Sequence, residues 1–326
     1  MLPVVLITHG LPGDWLSMLD GQVNAFIGPA GTSGFSPEIL ARLPEAEGLF
    51  TLLVDRVDEA ILVRAPQLRV VSNMAVGVDN IDVDACTRRR IPVGNTPGIL
   101  TEGTADLTMA LLLSAARRLS EASQDARQGR WTTWSPTGWL GADLNGALLG
   151  IIGLGKIGQA VARRAHGFGL RLVYNDIAPS PKLETELGAI YLPLDELLRQ
   201  SDFVSLHVPL LPYTRHMIDE RALRLMKPTA ILVNAARGPI VDTAALTRAL
   251  AEGWIAAAAI DVTDPEPLPP SHPLYRLTNC LIVPHIGSAT RGTRKAMAET
   301  ACRNLLAGLA GIPLPNCVNP EVYDAH

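Results

Sequence analysis

The chain has 326 residues, 48% of them hydrophobic and 18% charged, with a formal net charge of -4. That length accommodates two domains, and the composition supplies a large core and excludes a chain dominated by disorder. The slightly acidic balance excludes the basic stripe that nucleic-acid binding requires. It leaves room for a small anionic ligand, for which one local arginine suffices.

The chain opens Met1-Leu2-Pro3-Val4-Val5-Leu6-Ile7-Thr8-His9. It has no basic segment followed by a long apolar one, so it reads as a first core strand and not as a signal peptide. A strand over residues 4–8 is followed by a helix over 36–43, a strand over 49–54, a helix over 57–64 and a strand over 68–72. Short apolar runs that alternate with helix-period segments imply parallel βαβ units with right-handed crossovers. Residues 101–129 read as one long helix, with Thr101 as N-cap and Gly129 as stop. Its middle, 107–113, is apolar almost all round, as in a helix buried on several sides. A loop with Trp131, Trp134 and Trp139 follows. A second alternating block then begins, with strands over 147–152, 170–175, 202–207, 230–234, 256–261 and 281–284. Its helices span 157–168, 194–199 and 242–252, and a last helix covers 290–309 before an extended tail from Ile312. Polar residues interrupt every apolar stretch short of bilayer-spanning length, so no membrane association is expected. Cys86, Cys280, Cys302 and Cys317 form no CxxC pair and no metal-ligand spacing with histidine. Free thiols in a reducing, cytoplasmic compartment are expected, and no metal site.

Gly153-Leu154-Gly155-Lys156-Ile157-Gly158 is a GxGxxG. The pattern is weak alone, but here it follows an apolar strand, opens a helix, and precedes Asp176 at the end of the next strand, about 20 residues on. Gly153 permits the tight turn, Gly155 lets a pyrophosphate approach the backbone, and Gly158 lets helix and strand pack closely. The helix N-terminus offers free N–H groups to the phosphates. A carboxylate at Asp176 accepts hydrogen bonds from ribose hydroxyls and repels a 2′-phosphate, and the nearest base, Lys182, lies beyond Pro179 and Pro181. NAD(H) is therefore expected over NADP(H).

Three further segments follow predicted strands: 234–238, 261–267 and 284–289. Ligands of doubly wound sheets lie beyond the carboxyl ends of strands, so these segments are expected near the glycine turn. They carry Arg237, Glu266 and His285. Reduction of a 2-keto acid needs those three kinds of group. A guanidinium grips the carboxylate and polarises the carbonyl. An imidazolium delivers a proton as hydride arrives at carbon. A carboxylate on the other ring nitrogen fixes the tautomer and favours the charged ring. Taken singly, each of these residues is an ordinary surface group; their joint occurrence behind the glycine motif carries the reading.

With these residues in view, the sequence resembles the D-isomer-specific 2-hydroxyacid dehydrogenase family over nearly its whole length, most densely from Val71 to Ala289. Within the family it is most similar to the glyoxylate/hydroxypyruvate reductases, through 261–269, 284–290 and the tryptophan-bearing loop 131–139. The resemblance implies Arg237, Glu266 and His285 as catalytic residues. It assigns the backbone N–H groups of Val76 and Gly77 to the substrate carboxylate, Leu53 to the apolar lining, and Trp139 to the partner subunit's substrate site. Arg237 and His285 also contact substrate. Thr104, the glycine motif with Leu154, Lys156 and Ile157, Asp176, His207, Val208, Pro209, Ala235, Ala236, Arg237, Asp261, His285 and Gly287 are its cofactor-binding positions. The implied fold is α/β, with two flavodoxin-like or Rossmann-like, doubly wound parallel-sheet domains. The substrate domain is discontinuous, from 1–100 and 289–326, and the NAD-binding domain is 101–288 with a dimerisation arm over about 101–146. A homodimer acting on a small 2-keto or 2-hydroxy acid is implied. NADPH-preferring reductases of this group carry a basic residue where this chain has Asp176-Ile177, which puts NADPH use in doubt. Dehydrogenases of the same family for D-lactate, broad 2-keto acids or phosphite, and a non-catalytic NAD-sensing protein on the same fold, are the alternatives. The phosphite enzyme places a lysine where this chain has Val76.

Overall fold

The computed structural model describes residues 1–324. The chain forms two compact units, Met1–Leu100 with Ala289–His326, and Thr101–Ser288.

The first unit is built on a parallel sheet of β1 (Val4–Ile7), β2 (Asn24–Ile27), β3 (Gly48–Thr51), β4 (Val70–Asn73) and β5 (Val93–Gly94), in the order β2-β1-β3-β4-β5. This is a flavodoxin-like order, with the winding of the parallel strands reversing between β1 and β3. Alternation along the strands divides the core into two faces. Val5, Ile7, Phe50 and Val70 pack with Met297, Ala301 and Leu305 of the helix Arg291–Leu309. Leu6, Leu49 and Val71 pack on the other face with Ile39, Leu43, Leu62 and Ala85. Thr290 caps the final helix by accepting from Thr293 N. The strand β2 was not expected from the sequence. Three of its four residues are exposed, so no buried run or alternation marks it.

The second unit holds a seven-stranded parallel sheet: β6 (Leu148–Ile152), β7 (Arg171–Asn175), β8 (Ile190–Tyr191), β9 (Phe203–Leu206), β10 (Ile231–Asn234), β11 (Ala257–Ile260) and β12 (Cys280–Ile282). Their order is β12-β11-β10-β9-β6-β7-β8, so the winding reverses between β6 and β9. Both sheets are doubly wound and parallel, as the alternating pattern predicts. The helix Thr101–Ala116 buries Ala105, Met109 and Leu112 with Leu149, Ile151, Tyr174 and Phe203 of the sheet.

The single helix expected over 101–129 is two. The first ends at Ala116; Arg118 takes a left-handed conformation (φ 52°), and Leu119–Arg127 forms a second helix with no buried residue. The apolar face that anchors the first helix runs out at Ala116, whose carbonyl accepts from Ala142 N at 2.8 Å. Arg118 pairs with Glu121 at 2.8 Å and lies over the Trp139 ring at 4.9 Å. Short helices at Gly13–Leu16, Val83–Arg88, Pro181–Leu187 and Glu220–Leu225 add to those the sequence pattern predicts. The tail is not wholly extended: Pro320–Tyr323 forms a 3-10 turn. No helix among the described residues is long and apolar enough to cross a membrane.

Candidate active site

One row of register partners defines the carboxyl edge of the second sheet. Asn175 pairs with Ile152, Ile152 with Leu206, Leu206 with Asn234, Asn234 with Ile260, and Ile260 with Ile282. Gly153, Asp176, His207, Ala235 and Asp261 each follow a member of that row directly, and His285 lies three residues beyond Ile282. Parallel pairing thus delivers the second unit's candidate residues, Thr104 and Trp139 apart, to one side of one sheet.

At the reversal point between β6 and β9, Gly153 has φ 93°, and a Cβ there would lie 2.7 Å from Val208 N. A Cβ on Gly158 would lie 2.1 Å from the Gly153 carbonyl oxygen, so only glycine permits this helix–strand approach. Gly155 is different, because nothing lies within 4 Å of its Cβ position. The helix Lys156–Gly167 starts there with no side-chain cap. Its first N–H groups therefore have no partner within the helix, and the open ground beside Gly155 suits a diphosphate. Asp176 closes the turn: Oδ2 accepts from Leu154 N and Oδ1 from Ile177 N, both at 2.6 Å. Each oxygen keeps a further acceptor site for a ribose hydroxyl. Lys182 faces Glu186 at 3.9 Å. These features fit a nicotinamide dinucleotide.

His207, Val208 and Pro209 leave β9 beside this turn. His207 Nε2 meets Ser205 Oγ at 2.8 Å, and burial pushes its imidazole down to about 4. The ring is therefore neutral at physiological pH and contributes a polar surface without charge. Ala235 and Ala236 follow β10, where Asn234 holds the turn from both ends. Its Oδ1 accepts from Ala236 N (3.0 Å) and its Nδ2 donates to Arg237 O (2.9 Å). Arg237 Nη1 donates to Ala236 O at 2.8 Å.

Asp261, 2% exposed, shapes the histidine loop. Oδ1 accepts from Ile286 N at 2.6 Å and Oδ2 from Gly287 N at 2.8 Å, while its carbonyl accepts from His285 N at 2.8 Å. Burial raises its carboxyl above the usual range, against the pull of these N–H donors and the His285 charge. Thr104 Oγ1 donates to Gly287 O at 3.3 Å. Held in this way, His285 occupies the left-handed region (φ 51°), costly for a residue with a side chain. Its Nδ1 lies 2.5 Å from Glu266 Oε1, leaving Nε2 to exchange a proton. Burial raises the Glu266 carboxyl, but the hydrogen bond to His285, the His285 and Arg237 charges and the Thr263 N–H outweigh it, so the net shift is downward. The carboxylate stays ionised through the neutral and weakly acid range and takes up a proton as pH falls through that lowered value.

The remaining candidates were assigned by resemblance. In the first unit Leu53 is 42% exposed, and Val76 and Gly77 are half-buried on the loop after β4. Trp139, in the second unit, has φ 53° and is 39% exposed. Sequence reading missed Ser205 and Asn234, whose polar groups act on neighbours two or three residues away. The only signal in the sequence is a polar residue within or ending an apolar strand.

Residues 109–287 match the family described as D-isomer specific 2-hydroxyacid dehydrogenase, NAD binding domain. A glyoxylate reductase of Korarchaeum cryptofilum is 48% identical over 323 residues, covering 99% of this chain and 97% of that protein. The TT0316 protein of Thermus thermophilus has a solved structure with a TM-score of 0.90 and 48% identity, covering 97% of this chain and 99% of its own. A third match is the NADPH-dependent glyoxylate/hydroxypyruvate reductase of Sinorhizobium meliloti in complex with NADP and malonate. Its TM-score is 0.88 at 30% identity, covering 100% of this chain and 99% of that one.

Proposed function

We propose that this chain, which belongs to the D-isomer specific 2-hydroxyacid dehydrogenase family, reduces glyoxylate or hydroxypyruvate to the D-2-hydroxy acid. Membership makes it an oxidoreductase with a nicotinamide cofactor. The observation that carries carbonyl reduction is the His285–Glu266 pair at 2.5 Å on the same sheet edge as the glycine turn, and the similarity to glyoxylate reductases supports the choice of substrate.

A nicotinamide dinucleotide, held by the glycine turn 153–158 and Asp176, would supply a hydride to the carbonyl carbon. Arg237 grips the substrate carboxylate in a fork and draws on the carbonyl oxygen. His285 gives its Nε2 proton to that oxygen as negative charge develops there, leaving a hydroxyl and a neutral imidazole that solvent recharges. Glu266 holds Nδ1 and favours the charged ring. From the first unit, the Val76 and Gly77 N–H groups are assigned to the carboxylate and Leu53 to the substituent on carbon. Thr104, Leu154, Lys156, Ile157, the segment 207–209, Ala235, Ala236, Asp261 and Gly287 are assigned to the cofactor.

Glu266→Gln keeps the shape and removes the charge. Without the carboxylate the charged ring loses its partner, and kcat/KM at neutral pH is expected to fall about tenfold, the scale of a hydrogen bond to a charged group. Steady-state kinetics read this directly, and an unchanged kcat/KM would remove Glu266 from the mechanism.

Asp176 supports NADH over NADPH, because its carboxylate lies where a 2′-phosphate would be repelled. Asp176→Ala is expected to raise KM for NADH and to narrow the NADH/NADPH ratio of kcat/KM by about tenfold or more, given 1.4 kcal/mol per factor of ten. An unchanged ratio would assign the selectivity elsewhere. A homodimer fits the exposure of Trp131 (73%), Trp134 (79%) and Leu140 (65%) on one segment, with Trp139 reaching the partner's substrate. Light scattering that gives a monomer at micromolar concentration would set this aside. The four unpaired cysteines fit a reducing compartment, and the cytoplasm is the proposed location.

The decisive assay presents glyoxylate, hydroxypyruvate, pyruvate and longer 2-keto acids side by side with NADH and NADPH. Steady oxidation of NADH with glyoxylate or hydroxypyruvate is expected. NADH binding without turnover on any of them would favour a cofactor sensor.

A further inference from the structure

The loop after β4 is held by its carbonyls. Ala75 O accepts from Thr96 N at 2.9 Å, Val76 O from Asn95 Nδ2 at 2.8 Å, and Gly77 O from Asn73 Nδ2 at 3.0 Å. In a trans peptide the N–H points opposite to the carbonyl that shares its plane. Those three planes also contain the N–H groups of Val76, Gly77 and Val78. Pinning three successive carbonyls therefore turns three successive N–H groups away from the pinning donors. Among the described residues none of these N–H groups has a protein acceptor, and all three residues are partly exposed.

The asparagines are themselves fixed. Asn73 spends its second amide hydrogen on Asn80 Oδ1 (3.1 Å), and its own oxygen accepts from Thr51 Oγ1 (3.0 Å). Asn80 Nδ2 donates to Leu52 O (3.1 Å) and Asp55 O (2.8 Å), the two carbonyls that flank Leu53 and Val54. Asp55, with no exposed surface, takes Leu52 N (2.8 Å) and Thr8 Oγ1 (2.5 Å) on the same oxygen. The Asn95 carbonyl accepts from Asn304 Nδ2 (2.9 Å), in the core-facing side of the final helix. Loops 52–55 and 75–78 thus form one hydrogen-bonded block.

We propose that Asn73, Asn80 and Asn95 are positioning residues that preset this block for an anionic carboxylate. Their carboxamides, each bonded to a backbone carbonyl and those of Asn73 and Asn80 also to each other, aim the loop's N–H groups before substrate arrives and fix Leu53 relative to them. A carboxamide is required because each position must donate in a fixed plane, and at Asn73 and Asn80 also accept. The inference rests on the assignment of Val76 and Gly77 to the substrate carboxylate.

The test separates the two. Amide hydrogen exchange of residues 76–78 in the unaltered enzyme with NADH, measured with and without oxamate, probes the assignment alone. Protection on oxamate binding is expected; no change would overturn the assignment and the inference with it. Asn95→Ala then probes the positioning role, since among the described residues the only side-chain bond it removes is the one to Val76 O. Its kcat/KM for glyoxylate is expected to fall about tenfold relative to that for the uncharged methyl ester. The loss should lie mainly in KM, as for binding shared by ground and transition states, with NADH affinity and Tm near the parent values. If residues 76–78 are protected in the parent but Asn95→Ala lowers acid and ester equally, or neither, the asparagines serve the fold only and the proposal fails.

Discussion

His285→Ala lowers turnover by about 10²- to 10⁴-fold, the usual worth of a positioned proton donor, and leaves NADH affinity nearly intact. The split follows from where the residue stands. Its ring is tied to Glu266 through Nδ1, and its backbone is tied to Asp261 through His285 N. The glycine turn and Asp176 are organised by other contacts, Leu154 N and Ile177 N to the carboxylate and Gly158 against Gly153. Removing the imidazole therefore deletes the proton source without disturbing the diphosphate ground. Alanine also relieves none of the backbone strain at φ 51°, since it carries a Cβ as histidine does. Stopped-flow hydride transfer and NADH titration measure the two quantities separately. Parallel loss of both would make His285 a structural residue of the loop.

Arg237→Ala is expected to lower kcat/KM for the 2-keto acid by about 10²- to 10³-fold, or roughly 3–4 kcal/mol, within the range for truncating one member of a desolvated charge pair. Both KM and kcat should move, because the guanidinium meets a carboxylate already charged in the ground state and a carbonyl oxygen that gains charge in the transition state. Arg237→Lys is expected to recover only part of this, since an ammonium lacks the planar fork. The Asn234 clamp on Ala236 N and Arg237 O uses backbone atoms and persists in either variant. Folding and NADH binding should therefore survive. A variant that keeps full kcat/KM would take Arg237 out of the substrate's reach.

Much of this was legible in the sequence because two periodicities are strong. The buried runs at 147–152, 202–207 and 230–234 announce strands, and the glycines of 153–158 announce the turn that joins strand to helix. A carboxyl-edge site follows from parallel pairing alone, which is why Arg237 and His285 could be grouped although 47 positions separate them in the chain. What stayed hidden depends on contacts the pattern does not encode. The break at Arg118 has no glycine or proline to signal it, and reflects where the apolar face stops. The strand β2 lies at a sheet edge and presents exposed residues. The carboxamides of Asn73, Asn80 and Asn95 show their role only once loops distant in sequence are brought side by side.

The route of the chain through its first unit has a bearing on synthesis. One face of that sheet, with Val5, Ile7, Phe50 and Val70, is covered by the helix Arg291–Leu309, which is synthesised after the whole of Thr101–Ser288. Until then the nascent chain carries an uncovered apolar sheet surface, while all of Thr101–Ser288 has already emerged. At about 5–20 residues per second, that interval lasts on the order of ten seconds or more. The later-encoded unit can mature first, and stalled or truncated chains ending before Arg291 are the species expected to engage chaperones and proteases.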